Sequence, residues 1–167
     1  GTYASSTGTS ACKDVPAGAY PNQASGATKI GECKAGSYST AKAVKCTTCA
    51  AGKFSASDNA GSCTMAAPGY FVPLSGSTAQ LACPKGAYMP NYGASECKIC
   101  PRNTYAPQTT TKICLKCASG KYTMSTGSDS IDSCIDCEAG KFFSDSQKVC
   151  TSCPTGQTSK PGSTDCV

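Results

Sequence analysis

The sequence contains no histidine and no tryptophan, and only four of its 167 residues are phenylalanine. Without histidine, a serine or cysteine nucleophile would have no imidazole as its general base. The acidic residues are single and scattered, for example Asp14, Glu32, Glu96 and Glu138, and no two are placed as an acid/base pair. We therefore expect that the chain is not an enzyme and has no catalytic or cofactor-binding residues.

Branched apolar residues are also scarce, and Gly, Ala, Ser and Thr fill much of the chain. A single globular core of this length would need far more apolar surface to offset the conformational entropy of ordering the chain. No run approaches the ~18 consecutive apolar residues of a membrane-spanning helix. The net charge of +5 comes from lysines spread singly along the chain, so we expect a solvated surface and no nucleic-acid partner.

Cysteine, by contrast, is abundant: it accounts for 15 of the 167 residues, about 9%, which is in the range of disulfide scaffolds. Disulfides can replace the missing burial in extracellular domains. Five Cys-x-x-Cys pairs also have a spacing that suits zinc, and zinc binding and thioredoxin-like redox chemistry are the alternatives. Five cysteines lie outside these pairs, and no βαβ pattern surrounds any pair. We therefore expect disulfides and no metal site.

The cysteines repeat along the chain with a period of about 51 residues. Cys12, Cys63 and Cys114 follow one another at intervals of 51 residues, and Cys46 and Cys97 have the same spacing. Self-similarity at a fixed period predicts a tandem array. The predicted domains are a partial unit at 1–11, repeat 1 at 12–62, repeat 2 at 63–113, repeat 3 at 114–165 and the start of a further repeat at 166–167.

A shorter unit, Cys-x-x-Gly-x-aromatic followed by a second cysteine, recurs within each repeat. It includes Cys33-Lys-Ala-Gly36-Ser-Tyr38 and Cys49-Ala-Ala-Gly52-Lys-Phe54. We predict a tight turn with a positive φ at the glycine, which Asn103 replaces in one unit because asparagine tolerates this conformation best among the other residues. The aromatic residue is predicted to start a short strand and to lie against the disulfide.

The third repeat indicates which cysteines are bonded. Cys117 and Cys134 occur only there, and repeats 1 and 2 have Val15 and Ala66 at the position of Cys117. Two cysteines that appear together behave as bonded partners, and both belong to one Cys-x-x-Gly unit. Crossed pairing between neighbouring units is the alternative. Extending the rule predicts the pairs Cys33–Cys46, Cys49–Cys63, Cys83–Cys97, Cys100–Cys114, Cys117–Cys134, Cys137–Cys150 and Cys153–Cys166.

Cys12 is left without a partner in this set. Because Gly1-Thr2-Tyr3 matches Gly52-Lys53-Phe54, we expect its partner three positions upstream of Gly1, in a longer repeat protein. The predicted fold class is small, disulfide-rich, mostly β-hairpin and irregular. We expect an elongated linear array of cysteine-rich modules that has a minimal hydrophobic core and in which each module contacts its neighbours.

The Cys-x-x-Gly-x-Tyr/Phe unit resembles the cysteine-rich modules of ephrin-receptor-like and tumour-necrosis-factor-receptor-like ectodomains. Segments such as Cys134-Ile-Asp-Cys137-Glu-Ala-Gly-Lys-Phe-Phe are similar to the tandem repeats of protist surface proteins, such as the immobilisation antigens of ciliates. The resemblance implies an extracellular protein at the cell surface. For the protist type it also implies an abundant coat protein.

We therefore expect an extracellular structural or surface-coat protein, a disulfide-stapled rod that associates with copies of itself in a coat or filament. The alternative is a receptor or adhesin stalk that binds a protein ligand. The regular cysteine spacing of repeats 1 and 2, and their loops of Ala, Ser, Thr and Gly, favour the structural role. No Asn-x-Ser/Thr sequon is present. Ser/Thr-rich hairpin tips suit O-glycans, or are simply soluble turns; they lie at 2–10, 55–62, 109–111, 123–130 and 158–164.

Overall fold

The computed structural model describes residues 1–4 and 11–167. Short antiparallel strands make up its regular structure, and the only helix in these ranges is a single 3-10 turn at Ile131–Ser133. This confirms the predicted fold class of disulfide-rich β-hairpins with little helix and little core. The predicted hairpin tip at 2–10 lies mostly outside the described residues.

The strands pair consecutively along the chain, so that β1 pairs with β2 and β3 with β4, through to β17 with β18. We call these pairs hairpins 1 to 9, and residues 153–167 form hairpin 10, in which Thr158 and Val167 exchange two backbone hydrogen bonds of 2.9 Å. The strands are β1 Thr2–Tyr3, β2 Lys13–Asp14, β3 Ala19–Pro21, β4 Ile30–Glu32, β5 Ser37–Tyr38, β6 Thr47–Thr48, β7 Lys53–Phe54, β8 Thr64–Met65, β9 Tyr70–Phe71, β10 Leu81–Ala82, β11 Ala87–Tyr88, β12 Lys98–Ile99, β13 Thr104–Tyr105, β14 Leu115–Lys116, β15 Lys121–Tyr122, β16 Ile135–Asp136, β17 Lys141–Ser144 and β18 Val149–Ser152.

The described chain forms two compact units. The first contains Gly1–Leu81 and Asn91–Glu96, and the second contains Ala82–Pro90 and Cys97–Val167. Both are built in the same way, from hairpins that are hydrogen-bonded to the hairpin that follows.

Backbone hydrogen bonds of three kinds join successive hairpins in the first unit. The Gly52 N–H donates to the Val72 carbonyl over 2.8 Å, and the Val72 N–H donates to the Ala94 carbonyl over 2.9 Å. In return, the Gly93 N–H donates to the Ala66 carbonyl over 2.8 Å. The backbone groups that a two-residue strand leaves unpaired are thus satisfied by the neighbouring hairpin.

The same three bonds recur in the second unit with other side chains. The Gly86 N–H donates to the Ala106 carbonyl, and the Ala106 N–H donates to the Ser128 carbonyl, both over 3.0 Å. The Gly127 N–H donates to the Cys100 carbonyl over 2.8 Å. Because only main-chain atoms take part, the pattern tolerates the sequence differences between repeats.

The predicted turn geometry at the motif glycine is confirmed. Gly36 has a φ of +82° and Gly52 a φ of +85°, and Asn103 adopts +65° at the same motif position. A Cβ atom on Gly52 would overlap the carbonyl oxygen of Gly93, which lies at the tip of hairpin 6. The glycine is therefore required both by its backbone conformation and by the close approach of a hairpin two places further along.

The small core consists of two positions that are buried in most hairpins. One is the first cysteine of the motif; Cys33, Cys49, Cys83 and Cys100 are fully buried. The other is the residue that follows the aromatic ring, and this residue is small or polar in several hairpins, such as the 3% exposed Ser55. The aromatic ring itself is half-buried and is the second residue of its strand, one residue later than predicted.

Hairpins 2 and 5 contain no cysteine, and apolar side chains replace the first one. Val15 and Ala66 occupy the position of that cysteine and are fully buried. In hairpin 5, Gln80 stands immediately before β10, where other hairpins have their second cysteine. Its Oε1 atom accepts a hydrogen bond of 2.8 Å from the Ala67 N–H and so ties the two arms together.

Candidate functional site

Each of the seven disulfides joins the first and the last cysteine of a single hairpin. The Cα atoms of each pair are 5.6 to 5.8 Å apart. These bonds contain the fourteen cysteines for which pairs were predicted: Cys33–Cys46, Cys49–Cys63, Cys83–Cys97, Cys100–Cys114, Cys117–Cys134, Cys137–Cys150 and Cys153–Cys166.

The two cysteines of a Cys-x-x-Cys pair therefore belong to successive disulfides. Cys114 bonds to Cys100, whereas Cys117 bonds to Cys134. Cys12 is exposed and takes part in no disulfide among the described residues. In those same ranges no three His, Cys, Asp or Glu side chains come together as a set of metal ligands.

A cleft lies on hairpins 7, 8 and 9 of the second unit, beside the disulfide that only the third repeat contains. It consists of two adjoining depressions, which share Lys116 and Lys121 in their walls. One has a volume of about 270 Å³ and includes Cys117; the other has a volume of about 620 Å³ and includes Cys134. The Cys117–Cys134 bond therefore supports both depressions.

The smaller depression contains most of the cations of this region. Arg102, Lys116, Lys121 and Lys148 all line it, together with one acid, Asp145. The antiparallel register places Lys116 opposite Thr104, and Lys121 opposite Asp136. Short strands of successive hairpins thus bring together basic residues that lie up to 46 positions apart in the sequence.

Two of the four cations are neutralised by carboxylates. Lys121 Nζ lies 2.9 Å from Asp136 Oδ1, and Lys148 Nζ lies 3.2 Å from Asp145 Oδ1. Arg102 and Lys116 have no carboxylate within 4.0 Å in the described part of the chain. These two exposed cations are therefore available to an anionic ligand.

The larger depression combines charge with apolar surface. Tyr105 and Ile131 line it beside Lys116 and Lys121, and its one acid is Asp132. Ile131 and Asp132 belong to the 3-10 turn, in which the Ser130 hydroxyl accepts a hydrogen bond of 3.1 Å from the Asp132 N–H. The third repeat therefore builds this wall from a turn that the other described hairpins do not have.

Sequence reasoning missed this cleft because it treated the lysines as isolated surface charges. A usable signal was present in the repeat itself. Fifty-one residues before Arg102, Lys116 and Lys121, the chain has Ala51, Met65 and Tyr70. At these three positions the positive charge is therefore new relative to the residues 51 positions earlier. Lys116 and Lys121 lie in the third repeat, which also has the extra disulfide, and Arg102 lies near the end of the second.

An ion pair outside the cleft joins two successive hairpins in the first unit. Lys34 Nζ donates to Asp58 Oδ2 over 2.8 Å, and the Ala35 N–H donates to Asp58 Oδ1 over 2.9 Å. The hydrogen bond from Lys34, followed by that from Ala35, lowers the pKa of the Asp58 carboxyl below its ordinary value. The same bond raises the pKa of Lys34.

The hydroxyl groups of the predicted hairpin tips are not uniformly exposed. Ser55 and Thr123 are 3% and 2% exposed, and their hydroxyls donate to the carbonyls of Ser57 and Ser125 over 3.0 and 2.9 Å. Both belong to the core because each follows a motif aromatic. Ser128 and Ser159, in two of the predicted tips, are also only 7% and 6% exposed, so the prediction of exposed tips was wrong for these four residues. Ser57 and Ser62 of the tip that contains Ser55 are exposed.

Comparison with known proteins gives one family match. A model of the tyrosine-protein kinase ephrin type A/B receptor-like family matches residues 86–134, which is less than a third of the chain and includes part of the cleft. No curated protein matches the chain. Within residues 1–4 and 11–167, no helix has the length and apolar character needed to cross a membrane. The chain is a cysteine-rich repeat protein, similar over residues 86–134 to ephrin-receptor-like modules, and its disulfides indicate an extracellular or secreted location.

Proposed function

We propose that this protein is a non-enzymatic structural protein of an extracellular surface coat, of the type found in protists. The observation that carries the proposal is the recurrence of the same main-chain hydrogen bonds from hairpin to hairpin within each unit. A scaffold built from backbone contacts and disulfides can be extended without a specific core. This suits a protein whose task is mechanical.

The disulfides support the same role through resistance to unfolding and proteolysis. Each closes a loop with a sequence separation of 13 to 17 residues. In the chain-entropy model such a loop contributes roughly 3 kcal/mol to stability. Because each of hairpins 2 to 10 has its own bond or an apolar residue in place of its first cysteine, these segments need no large core to remain folded.

Self-association and O-glycans complete the proposal. Exposed tip hydroxyls such as those of Ser57 and Ser62 offer sites for O-glycans. Contacts between copies would convert single chains into a coat or filament. The absence of histidine from the whole sequence supports the non-enzymatic role.

Electron microscopy of untreated native material tests the structural role. We expect a continuous coat or uniform fibres that resist protease and lose that resistance when the disulfides are reduced. A zinc chelator should have no effect. Dispersed single molecules that are cleaved as readily before reduction as after it would contradict the proposal.

The alternative is a receptor- or adhesin-type ectodomain that binds a protein ligand. It is favoured by the family match at residues 86–134 and by the cleft there, whose basic residues do not recur in the preceding repeat. Dispersed molecules that bind one protein partner with a saturable isotherm would support this function over the structural one.

A further inference from the structure

We propose that the cleft formed by Arg102, Lys116, Lys121 and Lys148 is a binding site for a sulfated polysaccharide. A sulfate group is a permanent anion at neutral pH, and charge-assisted hydrogen bonds to guanidinium and ammonium groups are the strongest contacts available on a protein surface. Arg102 and Lys116 supply these groups without a competing carboxylate within 4.0 Å among the described residues.

The shape of the site fits a chain of sugar rings rather than a single anion. The two depressions adjoin along Lys116 and Lys121, and the larger one adds the half-buried ring of Tyr105 and the exposed side chain of Ile131. An apolar or aromatic surface beside polar groups suits a saccharide, which has both an apolar ring face and polar substituents. Sulfates would lie over the cations while a sugar ring lies against Tyr105.

The charge balance of the cleft also favours an anion. Its four cations are opposed by the lining acids Asp132 and Asp145, and by Asp136, which pairs with Lys121. The net charge of the cleft therefore stays positive, and its two unpaired cations stand where the residues 51 positions earlier are uncharged. In the first unit, Ala51 and Met65 stand at the positions of Arg102 and Lys116.

Binding of heparin, used as the sulfated probe, tests the proposal on the complete chain. Binding is measured by titration calorimetry at about 0.15 M salt. Exposed charges more than roughly 8 Å apart are screened at this ionic strength, so attraction between heparin and distant lysines contributes little. We expect a saturable isotherm for heparin, and affinity reduced about tenfold or more by Arg102→Ala with Lys116→Ala. Exchange of the two cations, as Arg102→Lys with Lys116→Arg, should retain most of the affinity.

Lys29→Ala with Lys45→Ala is the matched control, because it removes the same charge from exposed sites in the first unit. It should leave heparin affinity within about twofold. Equal weakening by the control would show attraction to net charge and overturn the site, as would a lack of heparin binding. Equal affinity for hyaluronan, whose anions are carboxylates only, would overturn the assignment to sulfate. None of these results depends on coat formation.

Discussion

The side-chain amide of Asn103 donates a 2.8 Å hydrogen bond to the main-chain carbonyl of Lys148, 45 residues away. In several other hairpins, such as those with Gly52 and Gly86, the motif glycine approaches the corresponding tip carbonyl so closely that no Cβ would fit. Asn103 therefore converts a steric contact into a hydrogen bond. It also bonds to Thr123, accepting at Oδ1 from the Thr123 N–H over 3.2 Å and donating its own N–H to Thr123 Oγ1 over 2.8 Å.

Asn103→Ala should destabilise the second unit by about 2 kcal/mol, because it removes the side-chain bonds and keeps a Cβ atom at a positive φ. Asn103→Gly is the matched control: it loses the same bonds but relieves the backbone strain, so its loss should be smaller. Thermal unfolding with the disulfides intact measures both. A larger loss for glycine than for alanine would contradict this account.

Gly52→Ala should destabilise the first unit by about 3 kcal/mol, the sum of the left-handed backbone penalty and the overlap with the Gly93 carbonyl. Gly140→Ala is the control at the same motif position. Gly140 has a φ of +77°, but no atom lies within 4 Å of the point that a Cβ would occupy, so only about 1 kcal/mol should be lost. Denaturant titration compares the two, and equal losses would show that the hairpin two places further along exerts no steric constraint.

Ala66→Cys combined with Gln80→Cys should create an eighth disulfide. The two positions correspond to the cysteines of the other hairpins, and the loop of 14 residues should contribute roughly 3 kcal/mol, part of which offsets the lost Gln80 hydrogen bond. Mass spectrometry and thiol titration detect the bond. Ala67→Cys with Gln80→Cys is out of register and should leave both new thiols free; bond formation in this control instead would refute the alignment.

Asp58→Asn should lower the stability of the first unit near neutral pH. It should also remove part of the loss of stability that this unit undergoes as the pH falls. The folded-state pKa of Asp58 lies below its ordinary value because of the bonds from Lys34 and Ala35. Its contribution is therefore present above the ordinary carboxyl pKa and is lost as the pH falls through the lower folded value. Thermal midpoints between neutral and strongly acidic pH should converge for the two proteins, and a constant difference would contradict the assignment.

Cysteine spacing allows much of the fold to be predicted, since a covalent bond between the ends of a short loop leaves few arrangements. The alignment of the three repeats predicts that Val15 and Ala66 take the place of a cysteine. The glycine of the motif, such as Gly36, predicts the tight turn with a positive φ. The second core position could not be foreseen, because residues such as Ser55 and Thr123 are polar and resemble exposed loop residues. Their burial depends on the hairpin that follows.

The basic cleft is harder to predict than the fold for a related reason. Arg102 and Lys148 come together only because successive hairpins bring distant loops into contact. A periodic comparison can show that these charges depart from the repeat, but it does not give their positions in space. The strand register, which places Lys116 opposite Thr104, supplies that information.

The central claim is that every disulfide closes its own hairpin, and non-reducing peptide mapping of native material tests it most directly. Trypsin cleaves after Lys98 and Lys116, and a protease that cuts before aspartate cleaves at Asp136, so three Cys-x-x-Cys pairs can be separated. The account predicts that Cys100 is linked to Cys114 and that Cys117 is linked to Cys134. A link from Cys100 to Cys117, or any other bond between hairpins, would contradict it.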